Sequence, residues 1–196
     1  MSRSFTRAEP DARRQSLIEA AARVLAERGA AGASVRVICA EAGVSPGLLR
    51  HYFDGIDALI AETYSWTDAQ VDQALEAAVA AAGSDPRARL VAYVTASFRA
   101  PIADPQLLAT WIAFWSLVKA RPEMERLHGE SYAGYRAEIE ALLAECGLGA
   151  GEVRLAAVGI TALVDGLWLE LCLAPGTFSP DEASAIAERW IEAALA

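Results

Sequence analysis

Two groups of side chains in this 196-residue sequence have types and spacing suited to recognition chemistry. The first is Ser45-Pro46-Gly47-Leu48-Leu49-Arg50-His51-Tyr52. On a short helix this run exposes Ser45, Gly47, Leu48, Arg50 and His51, and its small leading residues would let the helix enter a DNA major groove closely, so that its N-terminal residues meet base edges. The second group is Trp111, Phe114, Trp115, Asp165 and Trp168. Aromatic faces and a carboxylate together can enclose a quaternary ammonium through cation–π contact and charge. Each group has an ordinary alternative. A helical hairpin without DNA affinity has the spacing of the first, and aromatics at helical spacing are commonly core. Asp165 lies in an apolar stretch and would need an Arg, a helix N-terminus, a ligand or another subunit as partner. Catalysis is not expected: no metal-ligand cluster, phosphate-binding Gly loop or nucleophile motif is present, and His51 and His128 lie far apart. Neither a cofactor nor a metal is expected.

The elements that must position these groups read as helices throughout, with no alternating strand pattern. Leu17, Ile18, Ala21, Val24 and Leu25 recur on one face between Asp11 and Arg28, and Gly29 offers a left-handed stop. Ser34 can cap a second helix carrying Val35, Ile38, Cys39 and Ala42, which Gly43 ends. Ser45-Pro46 is an N-cap and first-turn pair for a third, short helix to about Tyr52, and Asp54-Gly55 is a turn. A long helix from Ile56 to about Ala82 follows, then helices from about Asp85, Asp104, Pro122, Glu152 and Pro180. The expected class is all-α with about nine helices: a helix-turn-helix domain over residues 1–55 and a helical domain over 56–196. The third helix is too short to persist alone, so the first must hold it. The stretch from Glu152 to Leu173 is apolar all round, as expected of a helix that is covered.

Charge divides along the same line. Eight arginines against six carboxylates give residues 1–55 a net +2, while the remainder carries −11, within a total of −9. The first quarter can approach phosphate and the rest repels it, which would orient the chain on DNA. Cys39, Cys146 and Cys172 are widely separated, consistent with free thiols in a reducing cytosol. Met1 to Glu9 holds no apolar run, so no signal peptide is expected, and no uninterrupted apolar run reaches the length of a membrane span.

The stretch Val37-Ile38-Cys39-Ala40-Glu41-Ala42-Gly43-Val44-Ser45-Pro46-Gly47-Leu48-Leu49-Arg50-His51-Tyr52-Phe53, with Asp57-Ala58-Leu59-Ile60 after it, resembles the DNA-binding motif of the TetR family. The resemblance implies a ligand-responsive, cytoplasmic DNA-binding regulator, released from a palindromic double-stranded operator by a small molecule. It puts Ser45, Pro46, Gly47, Leu48 and Arg50 on the recognition helix, His51 and Tyr52 in the family's His-Tyr-Phe stretch with the tyrosine hydroxyl reaching phosphate, and Ser34 and Arg36 beside the DNA backbone. Ile56 replaces the family's usual lysine, so phosphate contact would lean on arginines, Arg13 and Arg14 among the candidates, or on backbone N–H groups. Thr110-Trp111-Ile112-Ala113-Phe114-Trp115 and Leu163-Val164-Asp165-Gly166-Leu167-Trp168-Leu169 resemble the BetI branch of that family, whose namesake represses choline-to-betaine genes. That branch implies an effector such as choline and a homodimer built as a four-helix bundle. The alternative is a helical binding or scaffolding protein without DNA affinity.

Overall fold

The computed structural model describes residues 8–196, with side chains from Asp11 onward. The N-terminal stretch on which the absence of a signal peptide was read therefore lies largely outside the described residues. Nine helices and no strand are present among the described residues: α1 Ala8–Gly32, α2 Val35–Glu41, α3 Pro46–Tyr52, α4 Ile56–Ala81, α5 Pro86–Ala96, α6 Pro105–Val118, α7 Pro122–Glu145, α8 Ala150–Leu173 and α9 Pro180–Ala194. Their ends are chemical. Ser34, Ser45, Asp85 and Ser179 each accept a backbone N–H from the first turn of the helix that follows, and Ser179 with Glu182 closes a full capping box. Gly29 breaks the regular course of α1 with φ +64°, where the sequence offers a stop.

The chain forms two compact units. One comprises the chain as far as Thr67 together with Ala109–Leu127; the other comprises Asp68–Leu108 and His128–Ala196. The boundary expected at residue 55 differs from this division, because the core of the first unit draws on Leu59 of α4 as well as on Leu17, Val24, Ile38, Leu49 and Phe53. Ile56 and Trp66 pack against that same core. In the second unit α9 packs on α5 and α8. Gly159 of α8 lies under the Trp190 ring, where a Cβ would come within 2.7 Å of ring carbons.

α8 is long and apolar enough to cross a membrane by length and composition. Within the single chain it is not covered all round. Val153, Ala157, Ile160, Val164 and Trp168 are buried, whereas Leu155, Val158, Leu169 and Leu173 are exposed. The single chain covers one face of α8, and the other face is the one that the expected second copy would cover.

Candidate DNA-reading and ligand-sensing sites

The reader is built on α2 and α3. Gly43 has φ +66°, a conformation glycine reaches without strain, and it turns the chain between the two helices. The Val44 N–H donates to the Cys39 carbonyl at 2.9 Å and closes the end of α2. Ser45 then caps α3 by accepting the Leu48 N–H at 3.3 Å. Leu49 is fully buried and Phe53 nearly so, which pins α3 to the core by one side. The other side carries Ser45, Pro46, Gly47, Arg50 and His51, all exposed, with Leu48 and Tyr52 half-buried at the margin. The Tyr52 ring meets His51 edge to face at 5.0 Å and packs against the core, leaving its position fixed. Ser34 and Arg36 are exposed at the start of α2.

Two ion pairs brace this arrangement. Arg23 of α1 binds Glu41 of α2 at 2.8 Å. Arg14 pairs with Glu62 and lies over the Phe53 ring at 5.2 Å, so its guanidinium is engaged within the fold. At the start of α4, Arg121 binds Asp57 at 2.7 Å, next to Ile56, and brings a cation to the place where lysine is missing.

The aromatic set expected from sequence divides between the units. Trp111, Phe114 and Trp115 belong to the first. There Trp111 and Phe114 are buried and pack with Tyr64, centroids 5.1 Å from each. The indole N–H groups of Trp111 and Trp115 are buried and meet no acceptor among the described residues. Trp168 and Asp165 belong to the second unit. The Trp168 indole donates to the Ser97 carbonyl at 2.7 Å. Asp165 accepts from the Tyr132 hydroxyl at 2.9 Å. Burial pushes the Asp165 carboxyl up to about 6, against the lowering effects of Tyr132 and Arg136. The five side chains therefore form no single cluster inside either unit.

Sequence reasoning missed a cavity of about 650 Å³ in the second unit, lined from α4, α5 and α7. Asp68, Asp72 and Glu76 recur on one face of α4, and Tyr93 stacks on Tyr135 with centroids 5.4 Å apart and planes inclined by 29°. The signal in the sequence was the four-residue repeat of carboxylates, which reads equally as a solvated helix face.

A family model for the TetR-type bacterial regulatory proteins matches residues 17–63, and one for the BetI-type transcriptional repressor C-terminal domain matches residues 86–196. The chain belongs to the TetR family. The regulator BetI of Burkholderia thailandensis is 34% identical over 184 residues, spanning 94% of each chain. BetI of Yersinia pestis strain Pestoides F is also 34% identical over 184 residues, spanning 93% of this chain and 92% of its own. A transcriptional regulator from Pseudomonas aeruginosa PAO1 superposes with a TM-score of 0.88 at 44% identity, over 98% of this chain and 95% of that one. A regulator from Saccharomonospora viridis, solved in complex with choline, has a TM-score of 0.80 at 21% identity, over 93% and 96%; at that identity the likeness speaks for the fold. This TetR-family chain is a DNA-binding transcriptional regulator of the BetI type, and the reading as a scaffold without DNA affinity finds no support. Its curated relatives are named as transcriptional regulators.

Proposed function

We propose that this TetR-family regulator is a cytoplasmic repressor that grips a palindromic operator as a homodimer and releases it when a small cationic effector binds. The observation that carries this reading is the exposed face of α3. Ser45, Pro46, Gly47, Arg50 and His51 present an exposed edge carrying the Arg50 charge, with Leu48 and Tyr52 half-buried at its margin, while Leu49 and Phe53 hold the helix inward. Ser34 and Arg36 lie at the start of α2, where the TetR fold approaches the phosphates.

The dimer is proposed from the uncovered apolar residues of α8 and α9. Leu155, Leu169 and Leu173 with Ile186 form a surface that water leaves unsatisfied, and a two-fold partner presenting the same residues would cover it as a four-helix bundle. Dimerisation also accounts for the hydropathy of α8 without a bilayer.

For the effector, a quaternary ammonium such as choline is the reading taken from the BetI relatives and from the choline-bound Saccharomonospora regulator. Trp111, Phe114, Trp115, Asp165 and Trp168 are proposed to contact it. The orphaned indole N–H groups of Trp111 and Trp115 favour a ligand carrying an oxygen acceptor, because each buried donor left unmet costs about 1–3 kcal/mol. α4 contributes to both compact units, so an effector that prefers a displaced α4 would change the separation of the two recognition helices.

A gel shift on the DNA upstream of the protein's own gene tests this. Saturable binding that weakens steeply with salt and is released by choline supports the reading. Binding that ignores salt, or that persists unchanged across a broad panel of cationic metabolites, contradicts it.

A further inference from the structure

α3 has seven residues, too few to persist without its neighbours. Its inward grip is apolar. Leu49 is fully buried, and Phe53, which closes the helix by donating its N–H to the Leu49 carbonyl at 2.9 Å, is nearly so. Apolar burial is non-directional. Two anchors on one side therefore fix the depth of α3 in the core more firmly than its roll about them. A helix that reads base edges needs both, because a small roll carries Arg50 and His51 away from the bases they would meet.

A directional contact reaches Phe53 from α1. The Arg14 guanidinium lies over the Phe53 ring, 5.2 Å from its centroid, and pairs with the Glu62 carboxylate on the second turn of α4. One planar cation thus joins three elements of the reader unit: α1, the end of α3 and the start of α4. Arginine suits this joint because its flat face stacks on an aromatic ring while its fork of N–H groups meets a carboxylate. Turning the ring or shifting Glu62 breaks one of the two contacts. The joint orients more than it stabilises: the Arg14 and Glu62 side chains are 40% and 36% exposed, and ion pairs at that exposure add little to folding. The Arg23–Glu41 pair ties α1 to α2 in the same manner, so α1 braces both helices of the reader.

We propose that Arg14 is a positioning residue for operator recognition, setting the roll of α3 by holding Phe53 against Glu62 and sharpening the choice of DNA sequence without touching DNA. This rests on α3 being the reading helix. It removes Arg14 from the candidate phosphate contacts, since its guanidinium is engaged by a ring and a carboxylate of its own chain.

Two measurements on the full-length protein test it, with Arg14→Lys and Glu62→Gln beside the parent. The first is the ratio of affinities for a duplex that the parent enriches from a randomised pool and for a scrambled duplex of the same composition, taken across a salt series. Arg14→Lys keeps the charge but loses the planar face and the fork. Glu62→Gln keeps the length but loses the charge. Both variants are expected to lower the ratio about tenfold, the discrimination that one good base contact supplies, with the salt slope of the parent retained. An unfolded fraction leaves the ratio unmoved, because it reduces both affinities alike. A phosphate contact predicts otherwise: Arg14→Lys would keep the ratio, and Glu62→Gln would tighten operator binding by freeing the guanidinium. A ratio kept by either variant overturns the proposal.

The second measurement is amide hydrogen exchange without DNA. Residues 48–53 should exchange faster in both variants than in the parent, with α5 to α9 unchanged. Exchange over 48–53 equal to the parent's overturns the proposal as well. A parent that prefers no duplex, while exchange changes as described, would sink the assignment of α3 as the reader and leave the joint standing.

Discussion

At the residue scale, Asp165 is the clearest case of a side chain whose environment sets its behaviour. Its native carboxyl titrates at about 6, above the ordinary 3.8, chiefly because burial disfavours the charge. The native state therefore keeps its proton where the unfolded chain has lost it, and stability falls as pH rises from about 4 to about 6. Asp165→Asn removes this loss. The variant is expected to unfold at the parent's denaturant midpoint at pH 4, and to gain about 2 kcal/mol over it at pH 7, a figure trimmed for the partial exposure of the group. Chemical denaturation at both pH values checks the difference. A stability gap that does not change with pH would show that Asp165 is charged throughout, held by Tyr132 and Arg136. The need of this carboxylate for a partner was legible in the sequence, because it interrupts an apolar run. The identity of the partner was not, since Tyr132 is distant in the chain and only folding brings it near.

At the scale of elements, capping and turn chemistry carried most of the information. Ser34 and Ser45, each at the head of an apolar periodic run, cap α2 and α3 as read from the sequence, and Ser179 caps α9. Gly43 turns the chain between reader helices and has open space around it, so an added methyl meets no neighbour and only the backbone objects. Gly43→Ala is expected to cost about 1–2 kcal/mol through its left-handed φ, read as a lowered melting temperature with the helical content unchanged. An unaltered melting temperature would mean that the turn relaxes to another conformation. Gly159 poses the opposite problem: its backbone is ordinary, but Trp190 of α9 covers it. Gly159→Val should displace the indole and cost about 1–3 kcal/mol by overpacking, visible as a changed Trp190 fluorescence environment alongside lowered stability. Nothing in the local sequence announced that contact, and the cavity beside α4 had only a carboxylate repeat for a signal. The carboxylate repeat of Asp68, Asp72 and Glu76 becomes a wall only when α5 and α7 place Tyr93 and Tyr135 against it.

At the scale of the whole molecule, the account joins a reader held by its core to a helical unit whose apolar surface is incomplete in one copy. Leu155 is 62% exposed and Leu173 67% exposed, values that a monomer has no reason to keep on a helix of this hydropathy. Leu155→Glu with Leu173→Glu is expected to convert a dimer to monomers in sedimentation analysis, with the circular dichroism of each protomer retained. A mass unchanged from the parent would place the dimer contact elsewhere. The all-helical class and the reader were legible because they rest on periodicity and on a motif with distinctive residues. The division into units was less so: α4 begins in the core of the reader, where Leu59 is buried, and no composition shift marks the point where it leaves.

The central claim is that the exposed edge of α3 reads DNA sequence. Selection from a pool of randomised duplexes, with parent protein and an Arg50→Ala variant side by side, addresses it directly. The account predicts that the parent enriches one palindromic motif, and that Arg50→Ala weakens or relaxes the choice within each half-site by a factor equivalent to about 1–3 kcal/mol. A pool that emerges without any shared motif, or one that the variant enriches as sharply as the parent, would contradict it.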